Sequence, residues 1–142
     1  MLWNKLALGA VFAALFFTPV NAASYVKITV DISEQTMHVT TSSGHEEFYP
    51  VSTAGEHKIT PTGKYKPYVL RKMHYSTRYN NAPMPFSIFY SGNYAIHGTT
   101  HVKQLGQPAS NGCVRLHPKN AERVFNMVKA VGMDNTYITI VP

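Results

Sequence analysis

Hydrophobic and polar positions alternate with period two at the start of the chain's folded part. Val26, Ile28, Val30 and Ile32 are interleaved with Tyr25, Lys27, Thr29 and Asp31, and alternation over that length predicts a half-buried strand across residues 24–32. Two further strands, 35–41 after a Ser33-Glu34 turn and 46–53 after Ser42-Ser43-Gly44, complete a predicted antiparallel meander. Thr60-Pro61-Thr62-Gly63 has proline second and glycine fourth, the composition of a turn, and releases a strand over residues 64–70. Residues 71–85 show no period and carry Met73, His74, Tyr75, Tyr79, Asn80, Asn81 and Met84. They read as a long loop suited to lining a groove, since these side chains join apolar bodies to polar or adaptable tips. Residues 86–90 and 94–97 predict two short strands joined by Ser91-Gly92-Asn93, the second delivering His97 at its end.

Beyond residue 117 the period becomes helical. Pro118 suits a first helical position, Ala121, Val124, Phe125 and Val128 share one face, and Gly132 follows as a stop. Residues 135–141 then predict a closing strand. The pattern is mainly β with one principal helix, and 142 residues make one domain rather than two.

The N-terminus is patterned differently. Lys5 supplies a positive charge, residues 6–17 are apolar apart from Gly9, and Val20-Asn21-Ala22 offers small residues to a signal peptidase. This predicts a secretory signal over residues 1–22, cut after Ala22 or Ala23, with the mature domain over 24–142. A run of about a dozen residues is short against the ~20 that a membrane span needs. An uncleaved anchor is the alternative, and would be the chain's one route to a membrane.

Charged residues make up 14% of the chain, well under the roughly 25% usual in soluble proteins, so Ser, Thr, Asn, Gln and Tyr must wet much of the surface. The 13 basic residues outnumber the 7 acidic ones and are scattered, so no nucleic-acid arm is expected. A diffuse positive field suits an anionic partner such as cell-wall polymer or a membrane surface, as well as simple solubility.

Export changes the meaning of the single cysteine, Cys113. With no partner in the chain it is a thiol kept for chemistry, a buried small hydrophobe or an intermolecular bridge. Its setting, Ser110-Asn111-Gly112-Cys113-Val114-Arg115-Leu116, is a glycine-containing turn. Successive N–H groups of Asn111, Gly112 and Cys113 are placed to hold an oxyanion, with Ser110 tying the turn down. His97, followed by Gly98, is the candidate to take the thiol proton or to share an ion pair with the thiolate. No acidic residue lies between Glu56 and Glu122, so the second imidazole nitrogen needs a main-chain acceptor, for which the Gly98 carbonyl serves. The competing reading is a metal site drawn from His97, His101, Cys113 and His117. Against it, His97 and His101 are separated by Gly-Thr-Thr, which is not helical.

Taken together, Thr60-Pro61-Thr62-Gly63, Met84-Pro85-Phe86, His97-Gly98-Thr99, the Ser110–Leu116 block and a helix opening with Asn120-Ala121 resemble the catalytic domain of L,D-transpeptidases, the YkuD-like family, over roughly residues 27–141. The resemblance implies a mainly β domain, a mixed β-sandwich or barrel-like fold with one principal helix after the cysteine, in a bacterial periplasm or cell envelope. It implies that Cys113 attacks the carbonyl between the position-three diamino acid and D-Ala of a peptidoglycan stem, releasing D-Ala. An amine on another stem or on a lipoprotein then resolves the thioester, as needed for cell-wall organisation and shape. His97 matches the base, Gly98 the orienting carbonyl, and Asn111, Gly112 and Cys113 the oxyanion turn, beside Ser110. Arg115 matches a position suited to a substrate carboxylate or to a structural salt bridge. No cofactor and no metal are implied. Many relatives have His where this chain has Asn111, so a second imidazole beside the nucleophile is missing. Water as acceptor would make an L,D-carboxypeptidase, and a silent wall-binding domain of the same fold is the non-enzymatic alternative.

Overall fold

A computed structural model describes residues 22–142. The predicted secretory signal, apart from Ala22, lies outside the described residues. In chain order the strands are β1 (Val26–Asp31), β2 (Thr36–Thr41), β3 (Glu46–Pro50), β4 (Gly63–Tyr65), β5 (Val69–Tyr75), β6 (Pro83–Ser91), β7 (Tyr94–Gly98), β8 (Val114–Leu116) and β9 (Thr136–Val141). One α-helix, α1 (Pro118–Val131), stands between β8 and β9. One sheet runs β3-β2-β1-β9-β4 and the other β5-β6-β7-β8.

The period-two pattern of β1 does what alternation requires. Val26, Ile28 and Val30 face inward, and their β2 and β9 neighbours Met37, Val39, Ile138 and Ile140 are buried with them. β1 and β9 pair in parallel, Ile28 beside Ile138. From the second sheet Ile88, Ile96, Val114 and Leu116 complete the same core, and α1 closes it with Ala121, Val124, Phe125 and Val128. The helix packs chiefly on β6 and β7. Its ends follow the sequence signals. Pro118 occupies the first turn, His117 Nδ1 accepts the Lys119 N–H at 3.2 Å, and Gly132 turns off at φ 89° while donating to Val128 O at 2.8 Å.

The structure redraws the middle of the chain. Residues 64–70 are not one strand: β4 joins the first sheet through β9, and β5 starts at Val69 in the second. Pro67, which cannot donate to a ladder, separates them. Residues 71–85 are mostly strand, because β5 and β6 form a long antiparallel hairpin with only 76–82 as its loop. β5 is an edge strand whose side chains are mostly exposed or half-buried, so burial imposes no alternation on it. Pro83 and Pro85 sit where β6 has β5 alone as a partner, since β7 pairs only from Ile88 onward. Phe86 has φ 54°, an unusual value for a bulky residue, and its ring meets Phe125 of α1 edge-on at 5.6 Å.

The two central strands of the first sheet carry much of this packing. Ile138→Ala should lower unfolding free energy by about 2–5 kcal/mol, read as a shift of the urea midpoint at unchanged m-value. A loss below 1 kcal/mol would contradict the burial of β9.

Candidate active site

The turn before β8 is held by hydroxyl groups. Ser110, itself bridged to Ala54, accepts the Gly112 N–H on Oγ at 3.0 Å and donates to the Cys113 carbonyl at 2.6 Å. Thr60 Oγ1 donates to the Gly112 carbonyl at 2.8 Å. Gly112 has φ 131°, and a Cβ there would lie 2.6 Å from Tyr94 Cε1 and 2.8 Å from the Ile59 carbonyl, so both conformation and space demand glycine. The Gly112 N–H, expected to help to hold an oxyanion, donates to Ser110 Oγ in this structure, and Gly112 shapes the turn.

His97 is the last residue but one of β7 and is buried. Its Nδ1 lies 2.7 Å from the Gly98 carbonyl. A carbonyl only accepts, so Nδ1 carries the hydrogen and Nε2 keeps a lone pair. Burial pulls the imidazole pKa down to about 4, the positive charge of Arg115 pushes the same way, and the Gly98 carbonyl only partly opposes them. The ring is neutral at pH 7. Gly98 itself has no room for a side chain, because a Cβ would approach Pro85 at 3.0 Å and the Pro118 backbone at 3.1 Å. The strand carrying His97 is thus pressed against the start of α1.

Cys113 is a free, half-buried thiol whose Sγ lies 3.7 Å from the Asn93 carbonyl. Burial raises its pKa above the ordinary thiol value, and the Ala95 N–H and the Arg115 charge oppose that rise. Burial thus works against a thiolate–imidazolium pair.

His97 and Cys113 line one cavity of about 450 Å³. The 76–82 loop and the β6–β7 turn wall it, and Lys58, Arg78 and Arg115 add positive charge with no carboxylate among the lining residues. Arg115 is half-buried, makes no salt bridge among the described residues, and donates to Gln104 Oε1 at 3.4 Å. Burial lowers its pKa from an already high value, so it stays charged at pH 7. Asn111 is exposed on the cavity rim. Of the residues weighed for a metal, His101 also lines the cavity, whereas His117 caps α1. No three His, Cys, Asp or Glu side chains converge among the described residues.

The model of the YkuD family, the L,D-transpeptidase catalytic domain, matches residues 25–140. The chain belongs to this family. It is 27% identical over 105 residues to the YkuD protein of Bacillus subtilis (strain 168), covering 71% of this chain and 59% of that protein. The fold is similar to that of an L,D-transpeptidase from Mycobacterium smegmatis, with TM-score 0.74, 18% identity, and 84% of this chain against 59% of that one. It is also similar to L,D-transpeptidase 3 of Mycobacterium tuberculosis, solved with a faropenem-derived adduct, with TM-score 0.71, 18% identity, and 84% against 61%. This chain therefore spans about three fifths of the length of these relatives.

Within this L,D-transpeptidase domain, the sequence motifs left several neighbours of the thiol unnamed. Asn93, Ala95 and His74 surround it or His97 through the β5-β6-β7 pairing, and Thr60 reaches the turn across 52 residues of chain. The Thr-Pro-Thr-Gly run carried a signal, as a turn and as one block of the family resemblance, and His74 belongs to the stretch read as lining a groove.

The buried neutral imidazole has a pH signature. Its folded pKa of about 4 lies below the ordinary 6.5, so between those values the unfolded chain binds a proton that the folded chain refuses. Its contribution is complete above pH 6.5 and is lost as the pH falls toward 4, on the order of 3 kcal/mol in all. His97→Asn should flatten the fall in stability between pH 6.5 and 4, measured by urea unfolding at each pH. Parallel curves for the two proteins would show that His97 is not held neutral.

Proposed function

We propose that this domain is an exported cysteine acyltransferase that acts on peptidoglycan stem peptides as an L,D-transpeptidase, with Cys113 as nucleophile and His97 as base. The observation that carries the reading is a thiol and a neutral, Nδ1-anchored imidazole sharing one cationic cavity, in a chain of this family. A base whose pKa lies below 7 is unprotonated and ready, so it does not need to hold an ion pair at rest.

In the first step the Cys113 sulfur attacks the carbonyl between the position-three residue and D-Ala, and the thiol proton passes to His97 Nε2. The tetrahedral oxyanion collapses, the C–N bond breaks, and the amine of D-Ala leaves with that proton. A thioester on Cys113 results. An acceptor amine from a second stem, or from a lipoprotein, then attacks the thioester, yielding its proton to His97, which returns it to the departing sulfur. Gly98 keeps the imidazole tautomer through both steps. The Cys113 N–H is the main-chain donor next to the developing charge, and Asn111 contributes through its backbone and rim position. The missing second imidazole is no obstacle, because one neutral base serves both proton transfers.

Stem peptides are anionic, which suits a cavity wall with Lys58, Arg78 and Arg115 and no acid. The envelope location follows from the predicted secretory signal and from where such stems are found.

The direct test incubates the mature domain with a disaccharide tetrapeptide, with and without an acceptor amine, and follows products by mass spectrometry. D-Ala release with a crosslinked dimer is expected, and Cys113→Ala should lower the rate by about 10³-fold or more. Tripeptide alone would assign water as the acceptor and make the protein a carboxypeptidase. Neither product nor an acyl adduct on residue 113 would overturn the enzyme reading in favour of a silent wall-binding domain. The charge argument has its own check. Arg115→Met should raise KM for the tetrapeptide about 10-fold or more and leave the melting temperature nearly unchanged, because no acid is orphaned. An unaltered KM would remove Arg115 from substrate binding.

A further inference from the structure

Thr60 opens the Thr-Pro-Thr-Gly turn, yet its side chain does more than a turn requires. It is 5% exposed. Its hydroxyl is used in both directions, accepting the Ala54 N–H at 2.9 Å and donating to the Gly112 carbonyl at 2.8 Å. With Ser110 holding the Gly112 N–H and the Cys113 carbonyl, three main-chain groups of residues 112 and 113 are bound to hydroxyls. The fourth is the Cys113 N–H.

A trans peptide is planar, with its carbonyl and its N–H on opposite edges, and no peptide bond among the described residues is cis. Fixing the Gly112 oxygen on Thr60 therefore points the Cys113 N–H away from Thr60. The peptide after a glycine is otherwise easy to rotate, because no Cβ restricts its dihedrals. Steric contacts with Tyr94 and Ile59 demand glycine at 112 and so create the freedom that something else must remove. We propose that Thr60 is a positioning residue that locks the Gly112–Cys113 peptide plane, so that the Cys113 N–H faces the oxygen that becomes anionic when the Cys113 sulfur adds to a carbonyl. The proposal rests on Cys113 being the acyl-transfer nucleophile.

Two reactions of the same thiol separate this role from a structural one. Faropenem acylates by addition: sulfur attacks the lactam carbonyl, the C–N bond breaks, the ring nitrogen takes the proton, and an oxyanion forms on the way. Iodoacetamide alkylates by displacement: an S–C bond forms, iodide leaves, the thiol proton goes to solvent, and no oxyanion arises. Thiol ionisation and access affect both, so the ratio of the two rates, measured on folded protein, isolates the oxyanion donor.

Thr60→Val keeps the shape and removes the hydroxyl. It should lower the acylation-to-alkylation ratio by about 100-fold, and Thr60→Ser should restore it. Thr60→Ala, with less bulk to accommodate, should behave like valine and serves if the valine variant does not fold. Ratios in the valine or alanine variant equal to wild type, or a serine variant as impaired as valine, would overturn the proposal. A wild-type protein that is alkylated but not acylated would instead overturn the transpeptidase reading, and that is seen before any variant is made.

Discussion

The parallel pairing of β7 with β8 is the constraint on which the site depends. It sets Ile96 beside Val114, His97 beside Arg115 and Gly98 beside Leu116. The imidazole strand and the strand leaving Cys113 therefore have a fixed register. A parallel pair cannot be made by a tight hairpin and needs a long crossover. Residues 99–113 supply it, pinned to the β3–β4 connection where Gly106 donates to Val51 O at 2.8 Å and Ala109 and Ser110 donate to Thr53 O at 2.9 and 2.8 Å. β8 has only three residues, and its free side is held by Arg115, whose N–H and carbonyl both pair with Ser52. Slippage by one residue would turn Arg115 inward and Leu116 outward, which the packed core forbids.

The same core explains the electrostatics. Strands that bury Ile96, Val114 and Leu116 completely also remove His97 from water. Burial then acts in opposite directions on two neighbours, disfavouring the positive imidazole and the negative thiolate alike. Burial thus favours the uncharged form of both groups. Arg115 acts on the two unequally, since its charge lowers both pKa values and so favours the neutral imidazole but works against the neutral thiol. The Thr53 carbonyl that anchors the crossover belongs to a residue held in turn by Gln35, whose side-chain amide accepts the Thr53 N–H at 2.9 Å and donates to Thr53 Oγ1 at 2.6 Å. Polar bonds buried on the first sheet thus support the turn at the edge of the second.

Much of the fold was legible from residue order, but unevenly. β1, β2 and α1 lie close to where periodicity puts them, because each buries one face and displays the other. β5 was hidden because an exposed edge strand has no buried face to impose alternation, and its pairing with a proline-containing β6 is a backbone matter. At the site, Cys113, His97 and the Gly98 carbonyl were nameable from local chemistry: one thiol, one histidine before a glycine, and no nearby acid. Thr60 was not, because a hydroxyl followed by Pro-Thr-Gly looks like turn composition until its partner 52 residues away is known.

By itself, then, the sequence determined the mainly β character with one principal helix, the family through its motif blocks, and which side chains have the chemistry to donate, accept or attack. Those properties belong to short stretches and survive reading one stretch at a time. Only the tertiary structure decided the sheet order, the burial that disfavours charge on the imidazole and the thiol, the bond from the Gly112 N–H to Ser110 and the grip of Thr60 on the turn. Each of these depends on groups far apart in the chain that become neighbours only when the core closes. Burial and hydrogen-bond direction have no value until it does.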